Sequence, residues 1–193
     1  GVTQYEIASD NTNVIYHGAL VVPLAAGVID QAADTAGGTT AGLGILIGVE
    51  YVDSVLNKTI FKNYWPGSGS ASIDTNFPIK ALVVDNPMQL FQVATDASIT
   101  DRATALTAVF ANATLGTSAR SGSTNTGHST SALSVSSIAT TATLGLKIMG
   151  IVDDDANSDF SAAGIPLVVR INAHYNSPNA RFDSQTTATT TGI

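Results

Sequence analysis

The sequence predicts a mainly β fold: a single domain built as a β-sandwich or barrel, with one short helix and extended polar arms. Three observations carry this. Apolar side chains recur at spacing two along most of the chain, β-branched residues abound, and one segment alone shows clear helical spacing. At 193 residues and 19.7 kDa the chain is sized for one domain, and a fold of that length buries roughly 70% of its unfolded surface without needing staples. The domain is expected over residues 1–175, with 176–193 as an extended C-terminal tail.

Taken in order, the strand candidates are Gln4 to Ile7, Val14 to Tyr16, Ala19 to Pro23, Leu43 to Asp53, Lys58 to Tyr64, Ile79 to Asp85 and Met88 to Thr95. Asn86-Pro87 separates the last two, because proline lacks the N–H that a ladder needs. Thr100 to Ala113, TDRATALTAVFANA, is the helix: Leu106, Val109, Phe110 and Ala113 fall at helical spacing, with Thr100 as N-cap ahead of Asp101. Thr114 to Ser131 holds almost nothing apolar and reads as a loop, or as an arm that orders only against a partner.

Two more strands follow. LGLKIMGIV sets Leu144, Leu146, Ile148 and Val152 on one side. PLVVRINAH sets Leu167, Val169, Ile171 and Ala173 on one face and Val168, Arg170, Asn172 and His174 on the other. Leu43 to Ser54 and Leu144 to Ser158 echo one another, each a Leu-Gly, an apolar strand with a second glycine and an acidic turn. Two similar strands closing a barrel or sandwich, or two unrelated buried strands with glycine kinks, both account for this. The whole amounts to about eight to ten strands.

Composition narrows function. Eight Lys and Arg stand against fifteen Asp and Glu, for a formal charge of −7 and a pI near 4.5, so the basic footprint of duplex binding is missing and no nucleic-acid partner is expected. Only 12% of residues are charged while 44% are apolar, so the surface must be largely uncharged: Ser, Thr, Asn, Gln, Ala and Gly. Such a surface repels itself weakly and suits a protein that lies against copies of itself or a larger assembly. With no cysteine there is no disulfide scaffold and no thiol chemistry. No apolar run reaches the ~18 residues of a membrane helix, so a soluble protein is expected. GVTQYEIASD carries no secretory signal pattern.

An enzyme would have to be built from His17, His128, His174, scattered serines and the carboxylates. No Gly-x-Ser-x-Gly elbow is present, GSGS at Gly67 to Ser70 has no His or acid arranged beside it in sequence, and the histidines lack ligand spacing; neither catalysis, a metal nor a cofactor is expected. Asp153, Asp155, Asn157 and Asp159 alternate as in a calcium loop, but Ser158 stands where the turn needs Gly and Gly164 where the bidentate Glu belongs, which favours a solvated turn. The glycines of Gly37 to Gly48 do not follow a strand and open a helix in the order a dinucleotide site requires. Asn57-Lys-Thr59 and Asn112-Ala-Thr114 fit the glycosylation sequon, which matters only in a secreted chain.

One stretch concentrates scarce residue types. IFKNYWPGSGSAS, Ile60 to Ser72, holds the only tryptophan and then runs into glycine and serine. Tyr64 and Trp65 read either as anchors of an interface or as an aromatic cap closing the end of a barrel.

Several blocks resemble a family of virion proteins of tailed phages, notably of marine bacteria, that includes capsid decoration or cement proteins. They are GILIGVEYVDS, TIFKNYWPGSGS, ALVVDNPMQLFQVATD, NTGHSTSALSVSSIATTATLGLKIMGIVDDDANS and PLVVRINAH, in the family's order over most of Gly44 to His174. The resemblance implies a non-enzymatic β-rich protein on the outer surface of an icosahedral shell, bound to the major capsid protein and to itself as a trimer or dimer. It turns the aromatic stretch toward the interface reading. The expected contact residues are Lys62, Tyr64 and Trp65, Arg120 and His128 in the polar segment, and Arg181 and Phe182 in the tail. Other expectations are a tail or shell subunit of a virion, or a secreted carbohydrate-binding β-sandwich in which Tyr64 and Trp65 stack on sugar.

Overall fold

The computed structural model describes residues 1–32, 42–116, 120–153, 159–172 and 174–177. Its strands are β1 (Val2–Ile7), β2 (Leu20–Pro23), β3 (Ile29–Gln31), β4 (Gly44–Asp53), β5 (Lys58–Lys62), β6 (Ile79–Val84), β7 (Phe91–Ala94), β8 (Asn112–Ala113), β9 (Leu146–Ile151) and β10 (Pro166–Ile171), with helix α1 (Arg102–Ala108) between β7 and β8. The fold is mainly β, as the alternation requires, and its strands form two antiparallel sheets.

β4 is the spine of the larger sheet. Its start pairs with β2 through Leu20↔Ile45 and Val21↔Gly44, its end pairs with β5 from Val49↔Lys62 to Asp53↔Lys58, and its other edge takes β6. β6 pairs with β1 and β2 with β3, and a parallel bridge between Glu6 and Val28 joins the two ends, so this sheet curls into a barrel. A bulge between Leu46 and Gly48 shifts the parity of β4 by one, which is why Leu46, Val49 and Tyr51 all face the interior. They meet Ile7, Val21, Ile29, Ile79 and Val83 around Trp65. Gly44 is obligatory here, since a Cβ would lie 2.3 Å from the Val84 carbonyl oxygen.

The smaller sheet runs β7-β10-β9-β8. Its inner face, Leu146, Ile148, Leu167 and Val169, packs on Ala105 and Ala108 of α1 and on Ile99, Leu133 and Ile165. The two sheets meet through β2, whose Val21 fills the barrel while Leu20 and Val22 turn outward to Ile171 of β10, with Phe91 and Leu115 alongside. A strand apolar on both faces is a strand covered on both faces. The expected inner face of PLVVRINAH is borne out for Leu167, Val169 and Ile171; Ala173 lies outside the described residues.

Several boundaries differ from expectation. The helix is half as long as the spacing suggested: its N-cap is Asp101, whose carboxylate accepts from the Thr104 N–H at 2.7 Å, not Thr100, which has φ 76°. It ends where Val109 turns extended and Phe110 takes φ 72°. Its buried residues are Ala105 and Ala108, while Leu106 and Phe110 are exposed, because Asn112 and Ala113 are taken by β9 as a short strand. Val14 to Tyr16 is no strand but a single bridge, Ile15↔Trp65. β3 and β8 were not expected, being only three and two residues long.

Candidate functional site

The aromatic stretch that follows β5 and the polar segment Thr114 to Ser131 were expected to meet a partner separately; from Arg120 onward the segment meets the aromatic stretch instead. Asn63 donates from Nδ2 to the Thr126 carbonyl at 2.8 Å, and the Tyr64 hydroxyl donates to the Thr124 carbonyl at 3.3 Å. The backbone pairs alongside, His17 N–H to Gly127 O and Ser129 N–H to His17 O, both at 2.8 Å. The Arg120 guanidinium donates to the carbonyls of Gln31 and Ala32 at 2.8 and 3.2 Å and stands 3.8 Å from the Asp30 carboxylate. Residues 120–131 are therefore a tongue laid on the barrel wall by their own chain, and no partner is needed to order them.

Small residues make that docking possible. A Cβ at Gly127, whose φ is 73°, would come within 2.4 Å of Asn63 Oδ1, and one at Gly122 within 2.4 Å of the Tyr16 ring. Tyr64 stacks on Tyr16 with centroids 5.9 Å apart, and the Lys62 ammonium lies 6.0 Å from the Tyr64 centroid. His128 stays exposed, its ring set edge-on to His17 at 4.9 Å.

Trp65 corrects the interface expectation. It is 0% exposed, packs edge-to-face on Tyr51 at 5.8 Å and donates from Nε1 to the Asn11 carbonyl at 3.2 Å. No indole surface is left for a partner, and the sugar-stacking pair of Tyr64 and Trp65 is unavailable for the same reason. Arg181 and Phe182 lie outside the described residues.

Beyond Met88, Leu106 and Phe110, which are exposed elsewhere, one apolar and open surface that the sequence does not single out is the β4–β5 hairpin. Its four-residue loop is held by local bonds: Asp53 Oδ1 accepts from the N–H groups of Val55 and Leu56, each at 2.8 Å, and Asn57 takes φ 50°. The tip is thus braced with Val55 and Leu56 held out, 74% and 58% exposed. Phe61 on β5 is 71% exposed, and β5 pairs with β4 alone, so its second edge has no strand partner among the described residues. The alternation already contained the signal: with Ile60 against the core, Phe61 must face away.

Between the sheets lies a cleft of about 390 Å³ lined by His17, His128, Ser129, Ser131, Phe91 and Leu115 among others. His17 Nδ1 lies 3.0 Å from the Ile47 carbonyl oxygen, so it carries the proton, and Ser129 and Ser131 bond each other at 2.6 Å. Among the described residues no carboxylate lines this cleft to orient a histidine, so they do not assemble a hydrolase triad there. Among the described residues no group of three or more His, Asp and Glu is placed to hold a metal ion. Of the calcium-loop candidates, Asp153 is engaged by Arg102 through two bonds of 3.0 and 3.1 Å, which hold its carboxyl below the usual range, and Asp159 accepts from the Ser161 N–H; Asp155, Asn157 and Ser158 lie outside the described residues.

Comparisons of the chain with protein-family models, with curated proteins and with solved structures give no match.

Proposed function

We propose that the chain is a capsid decoration protein: a non-enzymatic virion subunit on the outer face of an icosahedral shell, bound to the major capsid protein and to further copies of itself. The observation that carries this is the braced hairpin, which keeps Val55, Leu56 and Phe61 in solvent beside the open edge of β5. Unpaired apolar edges invite strand addition, and soluble monomers normally blunt them. Burying each such side chain is worth roughly 1.5 to 3 kcal/mol, so one hairpin contact is comparable to the ~4 to 15 kcal/mol cost of association and yields at most a weak complex. Repetition on a closed symmetric shell makes many weak contacts act together.

The edge also favours a particular neighbour. If two copies joined β5 to β5 about Ile60, Lys58 of each would face Lys62 of the other, and directly opposed like charges are destabilising. β5 therefore suits the shell subunit, and self-association uses another face. The test is quantitative mass spectrometry of gradient-purified phage particles from the source, before and after DNA release. The expected result is a fixed ratio of this chain to the main shell subunit, retained in the emptied shell. Absence from the particle, or departure with the tail, overturns the reading; the second outcome makes it a tail component.

A further inference from the structure

The outer face of the smaller sheet carries a conflict that the decoration reading leaves unexplained. Register sets Asn112 of β8 opposite Lys147 of β9, and Lys147 opposite Arg170 of β10. Two of the eight Lys and Arg of an acidic chain are thereby placed side by side, where like charges repel. Neither is relieved by a carboxylate: the ion pairs among the described residues are Lys80–Glu50, Arg102–Asp153 and Arg120–Asp30. Among the described residues the guanidinium of Arg170 has only the Met88 sulfur, at 4.0 Å.

A cavity of about 400 Å³ opens beside this row, lined by Lys147, Arg170, Asn112, Asn172, His174 and Ser177 among others. His174 and Asn112 are 2% and 7% exposed. Arg170 Nε, His174 Nε2 and Asn112 Oδ1 are buried and have no hydrogen-bond partner among the described residues. Three unpartnered atoms around one cavity run against the rule that buried polar groups are satisfied.

Their chemistry is defined. The Asn176 N–H donates to His174 Nδ1 at 3.1 Å, so Nδ1 is an acceptor and the proton of the neutral ring sits on Nε2. Burial holds this imidazole below its ordinary pKa, with Asp85 opposing, so it is neutral at pH 7. Asn112 donates from Nδ2 to the Thr141 carbonyl at 3.0 Å, which leaves Oδ1 as an acceptor. The residues that line the cavity carry two cations and, buried within them, two unpartnered N–H donors and one acceptor.

We infer that this cavity binds a phosphate group, either the free ion or the terminal group of a small monoester. An anion resolves the Lys147–Arg170 conflict, an oxyanion accepts from both N–H groups, and the hydroxyl of a monoprotonated phosphate meets Asn112 Oδ1. Sulfate has no such proton, and neither does a phosphodiester.

The test is thermal unfolding of the full chain at constant ionic strength in chloride, sulfate, inorganic phosphate or glycerol 2-phosphate. The melting temperature is expected to rise with the logarithm of phosphate concentration, as it must for a ligand of the folded state, and to rise far less in sulfate. A shift with inorganic phosphate alone identifies the free ion as ligand; a shift with the ester as well shows that a monoester enters. Lys147→Gln is expected to melt above the wild type in chloride, because the opposed charge is gone, and to lose the phosphate shift. Arg170→Lys keeps the charge without the fork and is expected to weaken binding about tenfold. Independently of any variant, the phosphorus-31 line of phosphate is expected to broaden with the wild-type protein and to stay broad when excess sulfate is added; excess glycerol 2-phosphate sharpens it only where the monoester enters. Equal shifts in phosphate and sulfate, a phosphate shift undiminished in Lys147→Gln, or an unbroadened phosphorus line would overturn the assignment.

Discussion

Of two loops beside the barrel, the one with almost no apolar side chains is folded back on the wall, and the one carrying Val55 and Leu56 is held out in solvent. The polar tongue, residues 120–131, is fixed by backbone bonds to His17 and by side-chain bonds from Asn63, Tyr64 and Arg120. The hairpin tip is fixed mainly by its own Asp53, with one backbone bond to a neighbouring segment, from the Ser54 N–H to the Ser72 carbonyl at 3.1 Å. Composition thus predicts which loop has something to gain from a partner but not which loop is ordered. A polar segment orders wherever its backbone groups find partners of good geometry, and an apolar tip stays exposed if its own turn chemistry is strong enough to keep it there.

The sharpest way to break the comparison is at its shared foundation. Trp65 anchors the strand end from which Asn63 and Tyr64 reach the tongue, and its indole fills the barrel. Trp65→Ala is expected to cost about 3 to 5 kcal/mol, with the unfolding midpoint of the isolated protein falling by several degrees at least. A midpoint within a degree or two of wild type would show that the indole is not core.

A smaller change separates the loops. Gly127→Ala forces a Cβ into Asn63 and Tyr64 at a left-handed backbone position. Its expected cost is about 1 to 3 kcal/mol, confined to the tongue. Hydrogen exchange checks the location: the amides of Gly127 and Ser129 are expected to exchange faster, while those of Leu46 and Ile148, bonded to the Ala19 and Ala111 carbonyls, keep their protection. Loss of protection throughout would mean that the tongue is integral to the barrel.

How much of this was legible in the sequence follows from the range of the forces involved. β6 and β10 were readable because alternation is local and their inner faces are continuous; β4 and β9 were readable as strands, but a bulge in each shifts the inner face by one residue, so that Ile151 rather than the expected Val152 follows Leu146 and Ile148 toward the core. The end of α1 was not, because ladder bonds from Asn112 to Lys147 and the left-handed Phe110 override a helical period that continues past it. Trp65 could be read as core or anchor; what decides is Ile15 and Tyr51, which reach it from fifty and fourteen residues away along the chain. The phosphate cavity was half legible. Arg170, Asn172 and His174 share a face by alternation, but Lys147 comes opposite Arg170 only through a register that shifts between Val168 and Val169.

The smallest expected effect on stability is the most informative about function. Phe61 projects from β5 with most of its ring in water, so Phe61→Ser removes little buried contact and is expected to change unfolding free energy by no more than about 0.5 kcal/mol. If the hairpin is the contact with the shell, the same substitution removes the largest apolar group of that contact, and the amount of chain retained on purified particles falls while the melting curve stays put. The tongue supplies the control. Gly127→Ala moves the melting curve and, since the tongue's bonds are internal, is expected to leave retention unchanged under conditions where the protein is folded. Retention that follows stability in both variants would mean that shell binding reads only the folded fraction and that the exposed hairpin is not the contact. Retention that falls in Phe61→Ser alone assigns the contact to the hairpin, because there a side chain that the fold does not use meets a strand edge with no partner among the described residues.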